Sequence, residues 1–242
     1  MTGYTPNIST TIDEVMHEGT LSGLEITFPT VAEKLSIASS DATDTVLGTG
    51  ARTVLVVGLD VNGEEIFEVV ALNGQTPVLT TNDFLRINRS IVLTGGVDET
   101  NNGEICFSSE NEVWSAGLPT TTLYYDIAAT EGFGQVGIYT IPYDKTRSVV
   151  GNVAITSNAN ATKSVTFLVE SRRRDTGFGT AWLNPVHIFI SSGSQTFNIK
   201  GNGIYTPGTD IRFKARAQQT GVSMQIYFPL YDYKEPDPEA KL

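Results

Sequence analysis

The sequence predicts an all-β protein: two antiparallel β-sandwich or jelly-roll-like domains behind an extended N-terminal arm. Three observations lead there. Two Asn-Gly pairs, Asn62-Gly63 and Asn73-Gly74, punctuate the strand-like run Arg52–Thr94, and Asn-Gly tolerates the positive φ that tight hairpin turns require. The second half carries short apolar segments broken by turn signals every 8–12 residues, the spacing of a sandwich. Within it, Ile211, Phe213, Ala215 and Ala217 alternate with Arg212, Lys214, Arg216 and Gln218, which gives a strand one buried and one wet face. No helical period of useful length competes, so α/β folds with their switch-point sites are not expected.

Residues 1–30 are rich in Thr, Ser and Gly and read as an arm ordered by whatever it lies against. Only Thr11–His17 looks helical, with Thr11 and Glu14 at capping-box spacing, and so short a helix is marginal alone. Residues 31–118 form the first, acidic domain. Leu35 and Ile37 open a strand, Ser39–Ala51 is a loop, Arg52–Asp60 pairs with Glu64–Leu72 as a hairpin, and Phe84–Thr94 continues the meander. Val97–Glu104 is a turn-rich connector before a strand at Glu104–Ser108. A boundary is expected near residue 118, where Gly117 and Pro119 coincide with a change in charge. Residues 119–234 form the second domain, with strands at 123–127, 135–141, 148–156, 164–172, 181–190, 195–199, 210–217 and 222–231. Residues 235–242 are a charged tail with two prolines.

Composition narrows the function. The net charge is −11. Residues 1–118 hold 17 Asp and Glu against four Lys and Arg, a net of −13; residues 119–242 hold 10 against 12, a net of +2. That balance argues against a nucleic-acid binder, which needs clustered cations. The cluster Arg172-Arg173-Arg174 reads as a solvated strand end or a subunit contact. No apolar run approaches the roughly 20 residues of a membrane-spanning helix, and the N-terminus has no secretory leader pattern. One cysteine, Cys106, excludes an internal disulfide framework and a cysteine-based zinc site, and it reads as a small core residue.

A search for chemistry yields no catalytic, cofactor-binding or metal-ligating set. No GxSxG, HExxH, P-loop or GxGxxG stands in a strand–helix setting. Gly177–Gly179 and Gly201–Gly203 are hairpin glycines with no helix behind them. His187, between Val186 and Ile188, reads as structural, and His17 reads as an exposed arm residue. Asp98, Asn101, Asn102 and Glu104 supply hard oxygen donors, but not at the spacing of a calcium loop. Paired carboxylates such as Asp60 with Glu64, or Glu65 with Glu68, could serve a glycosidase; flanking a hairpin, they read as its wet face. Trp182 reads as a core or interface residue rather than a sugar platform.

Two blocks carry a resemblance. One is GTGARTVLVVGLDVNGEEIFEVVALNGQTPVLTTNDFLRINRSIVLTGG (Gly48–Gly96). The other is YTIPYDKTRSVVGNVAI (Tyr139–Ile155), followed by SVTFLVESRRRD, PGTDIRFKARA and VSMQIYFPLYDY. From about residue 35 to residue 233, in order, the chain resembles a family of virion structural proteins of tailed bacteriophages. It departs at Tyr143-Asp144, where a small residue and Gly are expected before Lys145. The resemblance implies a non-enzymatic virion component without cofactors, assembled in the host cytoplasm. Foremost is a capsid decoration or cement protein that binds the major capsid protein or other virion proteins as a homo-oligomer, a trimer favoured. The alternative is a tail or head-fibre adhesin binding carbohydrate through aromatics such as Tyr124, Tyr125, Tyr205, Tyr231 and Tyr233. A glycoside hydrolase on a sandwich scaffold is the third reading.

Overall fold

The computed structural model describes residues 2–5, 8, 10, 14–17, 21–145, 147–150, 152–157, 164–173, 182–190, 195–198, 204–227 and 230–233. Among these residues the regular structure is entirely β, and every strand ladder is antiparallel, as the sequence predicts. The expected helix is not seen in the described part of its span: Glu14–Val15 is a short strand, while Thr11–Asp13 lie outside the described residues.

Four sheets hold the two hydrophobic cores. Sheet I sets Tyr125–Ile127, Ile105–Ser108, Glu33–Ser39 and Val78–Phe84 side by side. Sheet II has Ala51–Leu59 between Glu65–Ala71 and Arg86–Gly95. Alternation along Ala51–Leu59 turns Val54 and Val56 inward, where they meet Leu35, Ile37 and Phe107 of sheet I in one core. Sheet III runs Ile138–Thr140, Thr209–Ala217, Val165–Arg173, Leu183–Ile190. Sheet IV runs Thr2–Thr5, Met224–Tyr227, Asn152–Ser157, Gln195–Asn198. Ile211, Phe213 and Phe167 of sheet III face Ile155, Met224 and Ile226 of sheet IV in a second core, and Phe167 and Phe213 lie 5.6 Å apart between ring centroids. A smaller sheet places Arg147–Val150 between Ile204–Tyr205 and Leu230–Tyr233.

Several expectations about connection change. The Asp60–Glu64 hairpin is confirmed, but its turn is not a two-residue Asn-Gly turn. Gly63 N–H donates to Asp60 O, Asp60 N–H donates to Glu64 O, and the Asp60 Oδ1 atom accepts from the amides of Asn62 and Glu64. Only Gly63 takes a positive φ, at 76°, the pattern of a type I turn closed by a left-handed glycine. Asn73-Gly74 is not a hairpin at all. It carries the chain from sheet II across to sheet I, held by Gly74 N–H to Asp44 O and Ser39 N–H to Gly74 O. The meander is therefore broken. Val78–Phe84 joins sheet I, and Arg86–Gly95 returns to sheet II on the far side of Ala51–Leu59. At that return the backbones come so close that a Cβ on Gly58 would lie 2.0 Å from Arg86 O.

Core membership changes near residue 140. Tyr125–Ile127 pairs with Ile105–Ser108, and Ile138 belongs to the first core while Ile141 belongs to the second. At Gly117-Pro119 the chain closes a two-residue ribbon, Trp114–Ser115 with Leu118–Pro119. The arm is largely absorbed. Thr2–Thr5 completes sheet IV, Glu14–Val15 pairs with Lys214–Ala215, Val15 enters the first core and Met16 the second. The chain stays in a sheet through Tyr233; the tail 235–242 lies outside the described residues.

Candidate functional site

The polar centre of the molecule lies where sheet II meets sheet III. Arg86 sits in the apolar run Phe84–Ile87, and its strand position drives it inward against Asp210, at the start of Thr209–Ala217. Both side chains are buried, 4% and 0% exposed. Arg86 Nε donates to Asp210 Oδ1 at 2.9 Å and Nη2 to Oδ2 at 3.0 Å, a two-pronged pair. Arg86 Nη1 donates to Pro29 O and Leu85 O. Asp210 also accepts from Thr140 Oγ1 at 2.6 Å and Arg172 Nε at 2.8 Å. Burial pushes the Asp210 carboxyl up, but Arg86, Thr140 and Arg172 together hold it below the ordinary carboxylate value.

Aromatic rings and a second ion pair cover this group. Arg86 and Arg172 lie over the Phe28 ring at 5.1 and 5.2 Å, and Arg172 and Arg212 lie over Trp182 at 4.4 and 3.9 Å. Arg212 Nε reaches Glu170 Oε2 at 2.5 Å. Arg172 thus turns into the fold, whereas Arg173 is exposed at the strand end and Arg174 lies outside the described residues. Trp182 is an internal contact between layers, as its sequence context suggests. Nearby, Asn88 bonds both the N–H and the C=O of Thr140 at 2.8 Å. Tyr143 lies between Gly63 and Gly208, whose added Cβ atoms would fall 1.7 Å from its Cδ2 and 2.6 Å from its hydroxyl. Tyr143 N–H donates to Gly63 O. Tyr143 therefore ties the first hairpin to the second half.

A second cluster fixes the arm. His17 Nδ1 lies 2.7 Å from the buried Asp126 carboxylate. Glu104, also buried, accepts from Leu21 N–H at 2.9 Å and from Cys106 Sγ. His17 is only 15% exposed in its side chain, which corrects its reading as an exposed residue. The pairing was invisible in sequence because 109 residues separate the partners. Burial alone would lower His17, but Asp126, Glu104 and Glu25 raise it above its ordinary value. Burial and Asp126 raise Glu104. The Cys106 thiol is pushed well up by burial and by Glu104, so it is held as the neutral, unreactive form.

The remaining sequence candidates are not assembled into a reactive centre. Asp60 organises its own turn, and Glu68 accepts the amides of Thr81 and Asn82. In the 98–104 loop, Asn101 bonds Gly103 O and Ala128 O, and Asn102 bonds Asp98. Among the described residues, no group of three or more His, Cys, Asp and Glu is placed to hold a metal ion. Tyr124 and Tyr125, expected as exposed sugar platforms, are buried; Tyr124 Oη donates to Glu33 and Tyr125 Oη to Gly134 O. Backbone at His187 pairs with Leu168.

What the surface offers instead is apolar. The outer face of sheet II aligns Phe67 with Val57 and Arg89, and Val69 with Leu55 and Ile91. Phe67 is 71% exposed, Val69 50% and Leu93 47%. A cavity of about 650 Å³ opens beside this face, between Asn88–Ile91 of sheet II and Ile138–Tyr139 of sheet III.

The chain matches no family model, no curated protein and no solved structure.

Proposed function

We propose that this protein is a non-enzymatic structural component of a phage virion, foremost a decoration or cement protein that stabilises the head by binding capsid subunits as a homo-oligomer. The observation that supports this most is the Arg86–Asp210–Arg172 group. It joins the two sandwich-like halves through charges that pair with one another inside the fold. Each Asp210 oxygen accepts two of these donors, so the carboxylate has no free lone pair to offer a substrate. The resemblance of the Gly48–Gly96 and Tyr139–Tyr233 blocks to virion proteins points the same way.

The contact surface in this reading is the outer face of sheet II, not the arm, whose described parts are built into the cores and sheets. Exposed apolar faces of this kind mark association sites. Replacing Phe67 and Val69 by Lys tests it. The variant should keep the parent's thermal unfolding and lose binding to particles that lack the protein. A variant that still decorates those particles normally would remove sheet II as the contact. The adhesin reading rests on the cavity beside Phe133, and strong signals on a glycan array would favour it over the decoration role.

A further inference from the structure

We propose that the cavity between sheets II and III is a binding site for a small organic acid: one carboxylate on an apolar ring or short alkyl body. Two edge strands, Arg86–Gly95 and Ile138–Thr140, approach each other there without forming a continuous ladder. Asn88 closes one end through its two bonds to Thr140. The other end is closed by residues 132–134, with Val92 N–H to Gly132 O at 2.7 Å, Gly134 N–H to Ser90 O at 3.0 Å, and an antiparallel bridge from Ile91 to Phe133. Between these closures the strands part, and the gap of about 650 Å³ falls within the range of about 300–1,000 Å³ that small-molecule sites occupy.

The lining states the ligand's chemistry. Ile91, Val136, Ile138 and the rings of Phe133 and Tyr139 form the walls. Phe133 stands 45% exposed at the mouth, carried there by a loop that Gly134 keeps close: a Cβ on Gly134 would lie 2.2 Å from Tyr125 Cε1. Among the described residues no carboxylate lines the cavity, although the chain carries 27 Asp and Glu. The one cation lining it among the described residues is Arg89, one of four in residues 1–118. Arg89 has no ion pair among the described residues, and its charge acts on the Tyr125 phenol at the cavity wall. A guanidinium presents a planar fork that fits a carboxylate with two parallel hydrogen bonds. Apolar walls with a single such fork select an acid whose body is apolar, and disfavour a neutral analogue that leaves the arginine unmatched. The cavity shares Arg89 and Ile91 with the rows of the outer face of sheet II, but it is tested by ligand binding to the free chain, so its failure would leave the structural role standing.

Calorimetric titration of the intact chain with 4-phenylbutyrate, 4-phenylbutan-1-ol and glucuronate tests the proposal. The expected result is saturable one-to-one binding of the acid, with the alcohol weaker by about tenfold or more, the weight of a charge-assisted pair. Arg89→Met should weaken the acid by a similar factor and leave the alcohol unchanged. Phe133→Ala, at an exposed position, should weaken both. No saturable binding of the acid up to about 5 mM, or undiminished binding by Arg89→Met, would overturn the assignment. Glucuronate binding more tightly than 4-phenylbutyrate would overturn the apolar body and make the site one for acidic sugars.

Discussion

Replacing Asp210 by Asn removes one charge from the centre of the molecule and leaves almost everything else in place. The amide is nearly the same size, and its oxygen still accepts from one partner. What it loses is the counter-charge to Arg86, whose side chain is 4% exposed, and the second oxygen that receives Arg86 Nη2 and Arg172 Nε. An unmatched buried charge costs about 3–5 kcal/mol when its partner is removed. For a chain of this size that is a fall of roughly 6–20 °C in Tm. The sign with pH also follows. Because the folded carboxyl is held below its ordinary value of 3.8, its stabilisation is full above that value and is lost as pH falls through the lower, folded value. The variant should therefore be less stable near neutrality and show a shallower loss in acid. Guanidinium unfolding followed by tryptophan fluorescence reads both regions: Trp114 packs on the first core, and Trp182 lies on Arg172 and Arg212. Both signals should shift together, because the charge joins the two halves. A loss of about 1 kcal/mol or less, the weight of a surface pair, would refute the reasoning. So would a shift in Trp182 alone.

Other outcomes follow from particular contacts. The His17–Asp126 pair should weaken as pH rises. His17 is raised above its ordinary 6.5 by Asp126 and its neighbours against burial, so its contribution is full below that value and is lost as pH climbs through the folded value. Glu104, raised by burial and Asp126, acts in the same direction. The protection of amides at residues 14–17, taken relative to the intrinsic base-catalysed exchange rate, should fall as pH rises above 6.5, and His17→Gln should remove most of that fall; an unchanged protection profile in that variant would contradict it. Gly58→Ala should cost about 1–3 kcal/mol, because its Cβ meets Arg86 O at 2.0 Å and backbone must move; a neutral denaturation midpoint would show that the strands can separate there freely.

Local order was the legible part of the sequence. The alternation of Ile211, Phe213, Ala215 and Ala217 gave a strand with that burial pattern, and the pairing of Arg52–Asp60 with Glu64–Leu72 holds residue for residue. Turn residues bound where strands end but not where the chain goes next. Asn73-Gly74 looks like Asn62-Gly63 in sequence, yet one crosses between sheets and the other closes a hairpin. The run Ser148–Thr156 looked like one strand and is two, in different sheets. The charged junction was out of reach for another reason: Arg86 and Asp210 are 124 residues apart, and no spacing rule links them. A faint signal was present, since Arg86 interrupts Phe84-Leu85 and Ile87, where a lone charge must either be exposed or find a buried partner. The cavity left no trace in sequence, because it is made by two edge strands failing to meet.

The proposed structural role in the particle is tested most directly by locating and counting the chain in purified virions. Quantitative mass spectrometry with a reconstruction of the intact particle should find on the order of hundreds of copies, arranged with the symmetry of the head and on its outside. About six to eighteen copies at the tail would contradict the decoration role, and absence from purified particles would contradict the structural role itself.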